Sequence, residues 1–191
     1  ADQILTALDI PHIHYRISTE KEISSYLSEE RKEWIESVGE AVVNSELFTS
    51  EKISLVTFEE FQIFCSHYGM NPYSEAEKMD REIYLKMQIA DYILNNNDRH
   101  EQNWGFLMEN ETGKLTGFCP LFDHDHAFVN YTDVISQTSE TQLTLRDAAV
   151  RAQQELRLNL DKLDVMDRPQ FLNDEQWEAV LERKRKISEK N

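Results

Sequence analysis

One amphipathic pattern constrains the fold of this chain more than any other feature of its sequence. Between Ser74 and Leu94, apolar side chains recur at spacings of three and four residues, which predicts a helix with one buried face that includes Met79 and Met87. The pattern stops at Asn95-Asn96-Asn97, and asparagine tolerates the left-handed backbone conformation at which helices end. The sequence therefore predicts a core helix that passes directly into a polar loop.

A β-hairpin is predicted directly after this loop. The apolar runs Trp104–Met108 and Leu115–Cys119 flank a polar turn over residues 109–114. We expect Trp104 and Phe106 to pack the hairpin against the core. The chain has only five glycines and four prolines, which favours helices joined by short loops.

Helical patterns cover most of the remaining chain. The predicted segments are the end of a helix before Pro11, a helix from Ser18 or Thr19 through Tyr26 with a capping box between Thr19 and Glu22, a helix over residues 28–44, a helix that opens at Thr57, and helices from about residue 144 onward, the last from about Asp174. Alternation over His12–Ile17 predicts one short strand, with His12 and His14 at the surface. The expected fold class is mainly α with a small β-hairpin, in a single domain over residues 1–191.

The charge balance limits the partners of the chain. Its 191 residues carry 36 Asp and Glu against 20 Lys and Arg, a formal net charge of −16. Such a chain repels nucleic acids and anionic membranes, whereas a small anionic ligand can still bind together with a divalent cation. The basic run Arg183–Lys186 is predicted to lie on a solvated helix end, where cations complement the helix dipole. Direct nucleic-acid and membrane partners are therefore not expected.

The cysteines and the hydropathy pattern indicate the compartment. Cys65 and Cys119 are the only two cysteines and form no Cys-x-x-Cys motif, so we predict two free, partly buried thiols in a reducing environment. No apolar run reaches the roughly 20 residues of a membrane helix, and no signal peptide opens the chain. The expected location is the cytoplasm.

Three oxygen-bearing side chains after the long helix carry the chemistry of the sequence. Asp98 lies in the loop, Asn103 follows five residues later, and Asp123 comes at the far end of the hairpin. In phosphoryl transfer, a loop Asp accepts the proton of the attacking hydroxyl, an Asn five residues later binds one metal ion, and a later Asp binds metal at the nucleotide phosphates. The spacing Asp-x-x-x-x-Asn is common by chance, but its place between a helix and a hairpin that leads to a second Asp is more specific.

These residues carry a resemblance to a known family. The pattern Asn-x-Asp-x-His-x-x-Asn at residues 96–103 and the segment Pro-Leu-Phe-Asp at residues 120–123 resemble the catalytic half of HipA-like Ser/Thr protein kinases. The run Asp-Arg-His-x-x-Asn is also similar to the catalytic loop of phosphoinositide-kinase-type enzymes, which invert the ordinary kinase order His-Arg-Asp. The resemblance covers residues 95–126, and the preceding helix extends it back to about residue 75.

The resemblance implies a protein-kinase-like C-terminal lobe. Residues 1–17 then form the end of the N-terminal lobe and the hinge, and residues 18–191 form the helical lobe. Within that lobe, the catalytic loop spans residues 95–103 and the metal-binding segment spans residues 120–126. By order along the chain, the strand near Tyr15 is the candidate contact for adenine.

The resemblance also implies an activity and roles for four residues. The implied reaction transfers the γ-phosphate of ATP to a Ser or Thr hydroxyl of a protein, with ATP and Mg²⁺ as cofactors. Asp98 is the implied catalytic aspartate, and His100 the loop residue near the transferred phosphate. Asn103 and Asp123 are the implied ligands of the metal and its nucleotide. The expected partners are a nucleotide, a protein substrate and a regulatory, antitoxin-like protein.

The residues leave other functions open. The motif does not name the acceptor, so a lipid or small-molecule kinase is one alternative. A metal-dependent phosphoesterase that binds Zn²⁺ or Mn²⁺ without nucleotide is a second. It would use Asp98, His100, Asp123, His124 and His126. The chain contains no Gly-x-Gly-x-x-Gly motif, so it is compatible with the C-terminal lobe of a longer kinase, a natural short relative, or a non-catalytic binding module with kinase architecture.

Overall fold

Helices cover about half of the chain, and its strands are short. The computed structural model describes residues 1–38, 42–128 and 140–188. Its helices are Asp2–Ala7 (α1), Glu20–Tyr26 (α2), Glu29–Val38 (α3), Phe58–His67 (α4), Pro72–Met79 (α5), Arg81–Leu94 (α6), Glu140–Leu156 (α7), Lys162–Val165 (α8) and Asp174–Ser188 (α9). Its strands are Tyr15–Ile17 (β1), Val43–Ser45 (β2), Ile53–Thr57 (β3), Gly105–Glu109 (β4) and Lys114–Phe118 (β5).

The chain groups into two compact units. One unit combines Ala1–His12 with Thr49–Asn191, and the other is Ile13–Phe48. The first unit holds the long helices, the larger sheet and every residue of the candidate site. The predicted single domain, with its hinge over residues 1–17, stays a prediction.

The smaller unit confirms one local prediction and corrects another. The predicted capping box opens α2, because the Thr19 side chain accepts from the Glu22 amide while the Glu22 carboxylate accepts from the Thr19 amide. The predicted helix over residues 28–44 is too long, since α3 ends at Val38. Val43 and Asn44 lie instead in β2, which pairs antiparallel with β1. Backbone pairing with a strand distant in sequence overrides the local helical pattern there.

The predicted hairpin is confirmed and gains a third strand. β4 and β5 pair antiparallel, and β3 pairs with the other edge of β4 to give the order β3-β4-β5. Thr57, the last residue of β3, lies opposite Gly105, the first residue of β4. Thr57 also begins α4 as its N-cap, in a capping box with Glu60. The sheet therefore ties the start of α4 to the end of the loop that follows α6.

An aromatic cluster fixes the sheet on the core. Trp104 stacks on Phe58 with 3.9 Å between ring centroids, and Phe106 packs between Phe61 and Phe118 at 4.7 and 4.9 Å. Both Trp104 and Phe106 are buried, as predicted. Such offset and tilted ring pairs contribute beyond the area that they bury. The loop before β4 therefore ends at Trp104, a buried residue packed into the core.

The long helix predicted from Ser74 to Leu94 is two helices. Asp80 lies between α5 and α6 in a non-helical conformation, and its carboxylate accepts from the Ile83 amide as the N-cap of α6. Met79 therefore falls in the last turn of α5 and is 36% exposed, so its predicted place in the core is wrong. Met87, in the middle of α6, is buried as predicted.

The observed burial contradicts the prediction for His12 and confirms the prediction of free, buried cysteines. His12 is buried rather than exposed, with Nδ1 donating to Ile10 O at 2.7 Å and Nε2 lying 3.1 Å from an Asp2 carboxylate oxygen. The strand predicted over His12–Ile17 is shorter than predicted. It consists of β1, Tyr15–Ile17, and His12 lies outside it. Cys65 and Cys119 are free and buried, and burial raises the pKa of the Cys119 thiol to about 11.

Helix α6 is the central helix of the larger unit. It packs against α7 and α9. Its C-terminal end, where Leu94 is fully buried, is the point from which the candidate site is built. Within residues 1–38, 42–128 and 140–188, neither α6 nor any other helix is both long enough and apolar enough to cross a membrane.

Candidate active site

The candidate site begins where α6 ends. Asn95 adopts the predicted left-handed conformation, with φ of 54°, and is completely buried. Its side-chain oxygen accepts from Arg183 Nη2 at 2.9 Å, while Arg183 Nη1 donates to Tyr92 O at 3.1 Å. The guanidinium carbon also lies 4.8 Å from the centroid of the Tyr92 ring. The C-terminal helix α9 therefore holds the end of α6 in place.

This contact corrects the prediction that Arg183–Lys186 form a solvated helix end. Arg183 and Lys184 are buried, and Lys184 Nζ donates to Asp161 and Asp164 at 2.7 Å each. Only Arg185 and Lys186 lie at the surface, where Arg185 pairs with glutamates of its own helix. The four cations form one run in sequence but point to two faces of α9.

Arg183→Met is expected to lower the stability of the chain by about 2 kcal/mol, because two buried acceptors lose charged donors. For a chain of this length, that is a fall in Tm of roughly 4–8 °C. Arg185→Met is the matched control, since the Arg185 side chain is 49% exposed and its surface ion pairs contribute little. Thermal unfolding followed by circular dichroism measures both, and equal Tm values for the two variants would contradict this role of Arg183.

The loop after Asn95 folds back so that Asp98 and Asn103 meet. Asn103 is buried, and its side-chain Nδ2 donates to the backbone carbonyl of Asp98 at 2.9 Å. The Asn103 amide donates to His100 O at 3.0 Å. The spacing of five residues therefore closes a turn. The hydrogen bond to Asp98 uses Nδ2 of Asn103 and does not involve its Oδ1.

Two imidazoles flank the carboxylate of Asp98. His100 Nε2 and His126 Nε2 lie 4.0 and 3.9 Å from Asp98 Oδ2. The Gln102 amide donates to His100 Nδ1 at 3.2 Å, so in the neutral ring the proton is on Nε2, the atom that faces Asp98. The Asp98 side chain is 41% exposed, which leaves it accessible to a second molecule.

Asp123 joins this group from the segment after β5. Its φ of 56° is left-handed, a conformation that Asp tolerates better than most residues and that is frequent at functional sites. Burial is the largest cause that raises the pKa of Asp123. The neighbouring carboxylates of Asp125, which also shares a side-chain hydrogen bond with it, and of Asp98 raise it further, and Arg99 partly opposes them. The structure thus brings Asp123 within electrostatic reach of Asp98.

Arg99 is the site residue that sequence reasoning missed. Its guanidinium bonds the Asp91 carboxylate on α6 through Nε and Nη2, and through Nη1 it donates to Asn103 O at 2.7 Å and to Phe122 O at 2.8 Å. It therefore links the core helix, the loop and the segment that carries Asp123. The available signal was its position between two predicted site residues.

The run His124-Asp125-His126 divides between two environments. The ligand atoms of Asp125, His126 and Asp98 lie within 4.8 Å of one another. His124 instead faces inward, and its Nε2 has no hydrogen-bond partner among the described residues. Burial, followed by the positive charge of Arg99, lowers the pKa of His124 to about 3, so it is neutral. His124 therefore does not join the Asp98 group.

The donor set fits a hard divalent cation. Mg²⁺ prefers a few carboxylate and carbonyl oxygens with room for water and phosphate, and Asn103 and Asp123 could supply them. Burial first, and then the neighbouring carboxylates, raises the pKa of Asp123, and a bound cation would neutralise the negative charge of these carboxylates. His126 adds an imidazole beside Asp98 and Asp125, a combination that transition metals also accept.

Comparison with known proteins identifies the fold. No family model matches the chain, and no curated protein matches it. Among solved structures, it is similar to the Helicobacter pylori proinflammatory kinase CtkA, with a TM-score of 0.58 over 97% of this chain and 79% of that chain. The two sequences are 16% identical, so the likeness concerns the fold. The chain has a kinase-like fold.

Proposed function

We propose that this chain is the catalytic, helical lobe of a HipA-like Ser/Thr protein kinase, an ATP- and Mg²⁺-dependent phosphotransferase. One observation carries the proposal: Asp98, Asn103 and Asp123, which are separated by up to 25 residues, lie close together in a kinase-like fold. The turn between Asp98 and Asn103 and the bonds of Arg99 account for this convergence.

In the proposed reaction, Asp98 orients the acceptor hydroxyl and takes its proton as the hydroxyl oxygen bonds to the γ-phosphorus. The bond from that phosphorus to the bridging oxygen breaks, and ADP leaves. Asn103 and Asp123 would hold Mg²⁺, which would supply positive charge to neutralise the phosphates. His100, whose Nε2 lies 4.0 Å from Asp98 Oδ2, would face the transferred phosphate. The protein supplies mainly positioning and charge compensation.

The charge of the chain supports the way in which nucleotide would arrive. With a net charge of −16 and three carboxylates in the site, free ATP is repelled, and the Mg²⁺ complex of ATP is the favoured ligand. The proposal also includes a protein substrate, an antitoxin-like regulatory partner, an adenine contact near Tyr15 and a cytoplasmic location.

The test is phosphate transfer from ATP labelled at the γ-position, with Mg²⁺, to the chain itself and to a mixture of Ser- and Thr-containing peptides. We expect labelled phosphoserine or phosphothreonine with the wild type. Asp98→Asn should lower the rate by about a hundredfold, because it removes the proton acceptor and keeps the shape. Asp167→Asn, the same change at an exposed position between α8 and α9, should retain the wild-type rate.

The labelled-ATP assay distinguishes the possible acceptors, and a hydrolysis assay tests the phosphoesterase alternative. Label on added phosphoinositides or small alcohols, and none on peptides, would make the chain a lipid or small-molecule kinase. The Asp98–Asp125–His126 group favours a metal-dependent phosphoesterase as second candidate. That enzyme would hydrolyse bis(p-nitrophenyl) phosphate with Mn²⁺ or Zn²⁺ and no nucleotide. Equal labelling by the wild type and Asp98→Asn would contradict the proposed role of Asp98.

A further inference from the structure

We propose that Arg99, held by Asp91, is a positioning residue that sets the backbone at both of the proposed metal ligands. The inference rests on the proposed function, because Asn103 and Asp123 are the ligands of that site. It concerns a side chain whose hydrogen bonds go to Asp91 and to two backbone carbonyls. Arg99 acts through the peptide groups of its neighbours.

The hydrogen bonds of Arg99 divide its guanidinium into two halves. Nε lies 3.1 and 3.2 Å from the two carboxylate oxygens of Asp91, and Nη2 lies 2.9 Å from one of them. Nη1 carries two hydrogens and reaches two carbonyls, those of Asn103 and Phe122. One half of the group is therefore anchored on α6, and the other half holds two separate segments.

Both carbonyls belong to peptide groups next to a proposed ligand. The Asn103 carbonyl is on the ligand residue itself, and the Phe122 carbonyl is in the peptide bond that leads into Asp123. Fixing a peptide plane fixes the direction in which the adjacent side chain leaves the backbone. A single nitrogen atom thus sets the separation of two ligands that lie 20 residues apart.

Asp91 supplies the fixed end of this arrangement. It lies on the most buried stretch of α6 and also accepts from Asn96 Nδ2 at 3.1 Å. The Arg99 and Asp91 side chains are 8% and 5% exposed, so the pair is shielded from solvent. Burying an ion pair contributes little net stability compared with apolar residues of similar size. What this pair contributes is a defined direction for the two hydrogens of Arg99 Nη1, which donate to the carbonyls of Asn103 and Phe122.

Lysine cannot replace Arg99 in this role. An ammonium group can pair with Asp91, but it is a single point and has no planar fork to span a carboxylate and two carbonyls. Arg99→Lys therefore keeps the positive charge and loses the geometry. We expect the two segments to separate without loss of the fold.

The experiment compares wild type, Arg99→Lys and Lys184→Met. Lys184 is the matched control, because its side chain is also 8% exposed and also pairs with carboxylates, but on α8 and the residue before it. Binding of Mn²⁺, followed by electron paramagnetic resonance without nucleotide, reports on the ligands. Amide hydrogen exchange at Asn103, Cys119 and residues 121–123 reports on the backbone, and kcat and KM for Mg²⁺–ATP report on the reaction.

For Arg99→Lys we expect Mn²⁺ to bind roughly tenfold more weakly or worse, as for other residues that orient metal ligands. Exchange at Asn103, Cys119 and residues 121–123 should accelerate, and kcat should fall more than KM rises. Lys184→Met should lose thermal stability and keep the wild-type Mn²⁺ affinity and the wild-type exchange in these segments. Wild-type Mn²⁺ affinity and exchange in Arg99→Lys would overturn the inference.

The outcomes also distinguish this inference from the proposed function. A wild type that transfers no phosphate and binds no Mn²⁺ overturns the kinase proposal, and hydrogen exchange then decides the role of Arg99 by itself. An active wild type with an unaffected Arg99→Lys variant overturns the positioning role and leaves the kinase proposal standing.

Discussion

Asp123→Asn is expected to abolish phosphate transfer and to raise the thermal stability of the metal-free chain. The variant removes the negative charge of one of the two proposed Mg²⁺ ligands and leaves only a weaker, neutral oxygen there, and metal-assisted charge stabilisation contributes several kcal/mol to such reactions. The expected loss in rate is therefore about a thousandfold or more. Labelled phosphate transfer with Mg²⁺–ATP measures it.

The gain in stability follows from the electrostatics of Asp123. Burial and two nearby carboxylates raise its pKa in the folded chain, so its ionised form is less favourable there than in the unfolded chain. Stability is therefore lost as the pH rises from the ordinary Asp pKa, about 3.9, through the raised one. Asparagine carries no charge and accepts the left-handed conformation at this position. The advantage of the variant in Tm should be absent near pH 4 and grow toward neutral pH.

Two controls separate the charge from the backbone. Asp123→Ala also removes the charge but places a residue with no such tolerance at φ of 56°, at a cost of roughly 1 kcal/mol, so it should gain less than the asparagine variant. Mg²⁺ should raise the Tm of the wild type and leave that of Asp123→Asn unchanged. Transfer at the wild-type rate would contradict the role of Asp123, and a Tm below that of the wild type at neutral pH would contradict the electrostatic account.

Local signals predicted several elements of the fold well. The capping box of Thr19 and Glu22 depends on four consecutive residues, so the sequence contains all of its information. The same holds for the helix end at Asn95 and for the hairpin after Trp104. Asp80 was also a local signal, because Asp is a favoured N-cap, but the apolar period continued across it and concealed the break.

Contacts between distant segments could not be predicted in this way. Arg99 looked like a loop residue, yet its partners lie on α6 and after β5. Arg183 looked solvated within a run of cations, yet its acceptors lie about 90 residues earlier. Both arginines satisfy buried carbonyl or carboxylate groups whose burial follows from the packing of whole helices. Periodicity predicts which face of an element is apolar, and it carries no record of polar groups that another element leaves unpaired.

Gly105→Ala is expected to cost roughly 4 kcal/mol of stability, above the usual range for overpacking, and about 10 °C or more in Tm. A Cβ atom at Gly105 would lie 2.1 Å from Val56 O and 2.9 Å from the Thr57 Cα. Both are backbone atoms of the neighbouring strand, so no side chain can rotate away to relieve the overlap. Either β3 and β4 separate, or the Gly105 backbone moves. A movement of Gly105 would disturb the hydrogen bond that its carbonyl accepts from the Cys119 amide at 3.0 Å.

Gly113→Ala is the matched control, because it isolates the other cost of replacing glycine. Gly113 lies in the hairpin turn with φ of 67°, and a Cβ atom added there would have no neighbour within 4 Å, so alanine meets backbone strain of about 1 kcal/mol and no clash. Urea unfolding measures both variants. Equal losses would mean that the strands yield at little cost. A far larger loss at Gly105, with faster amide exchange at Asn103, would show that the close approach of β3 and β4 supports the loop that carries Asp98 and Asn103.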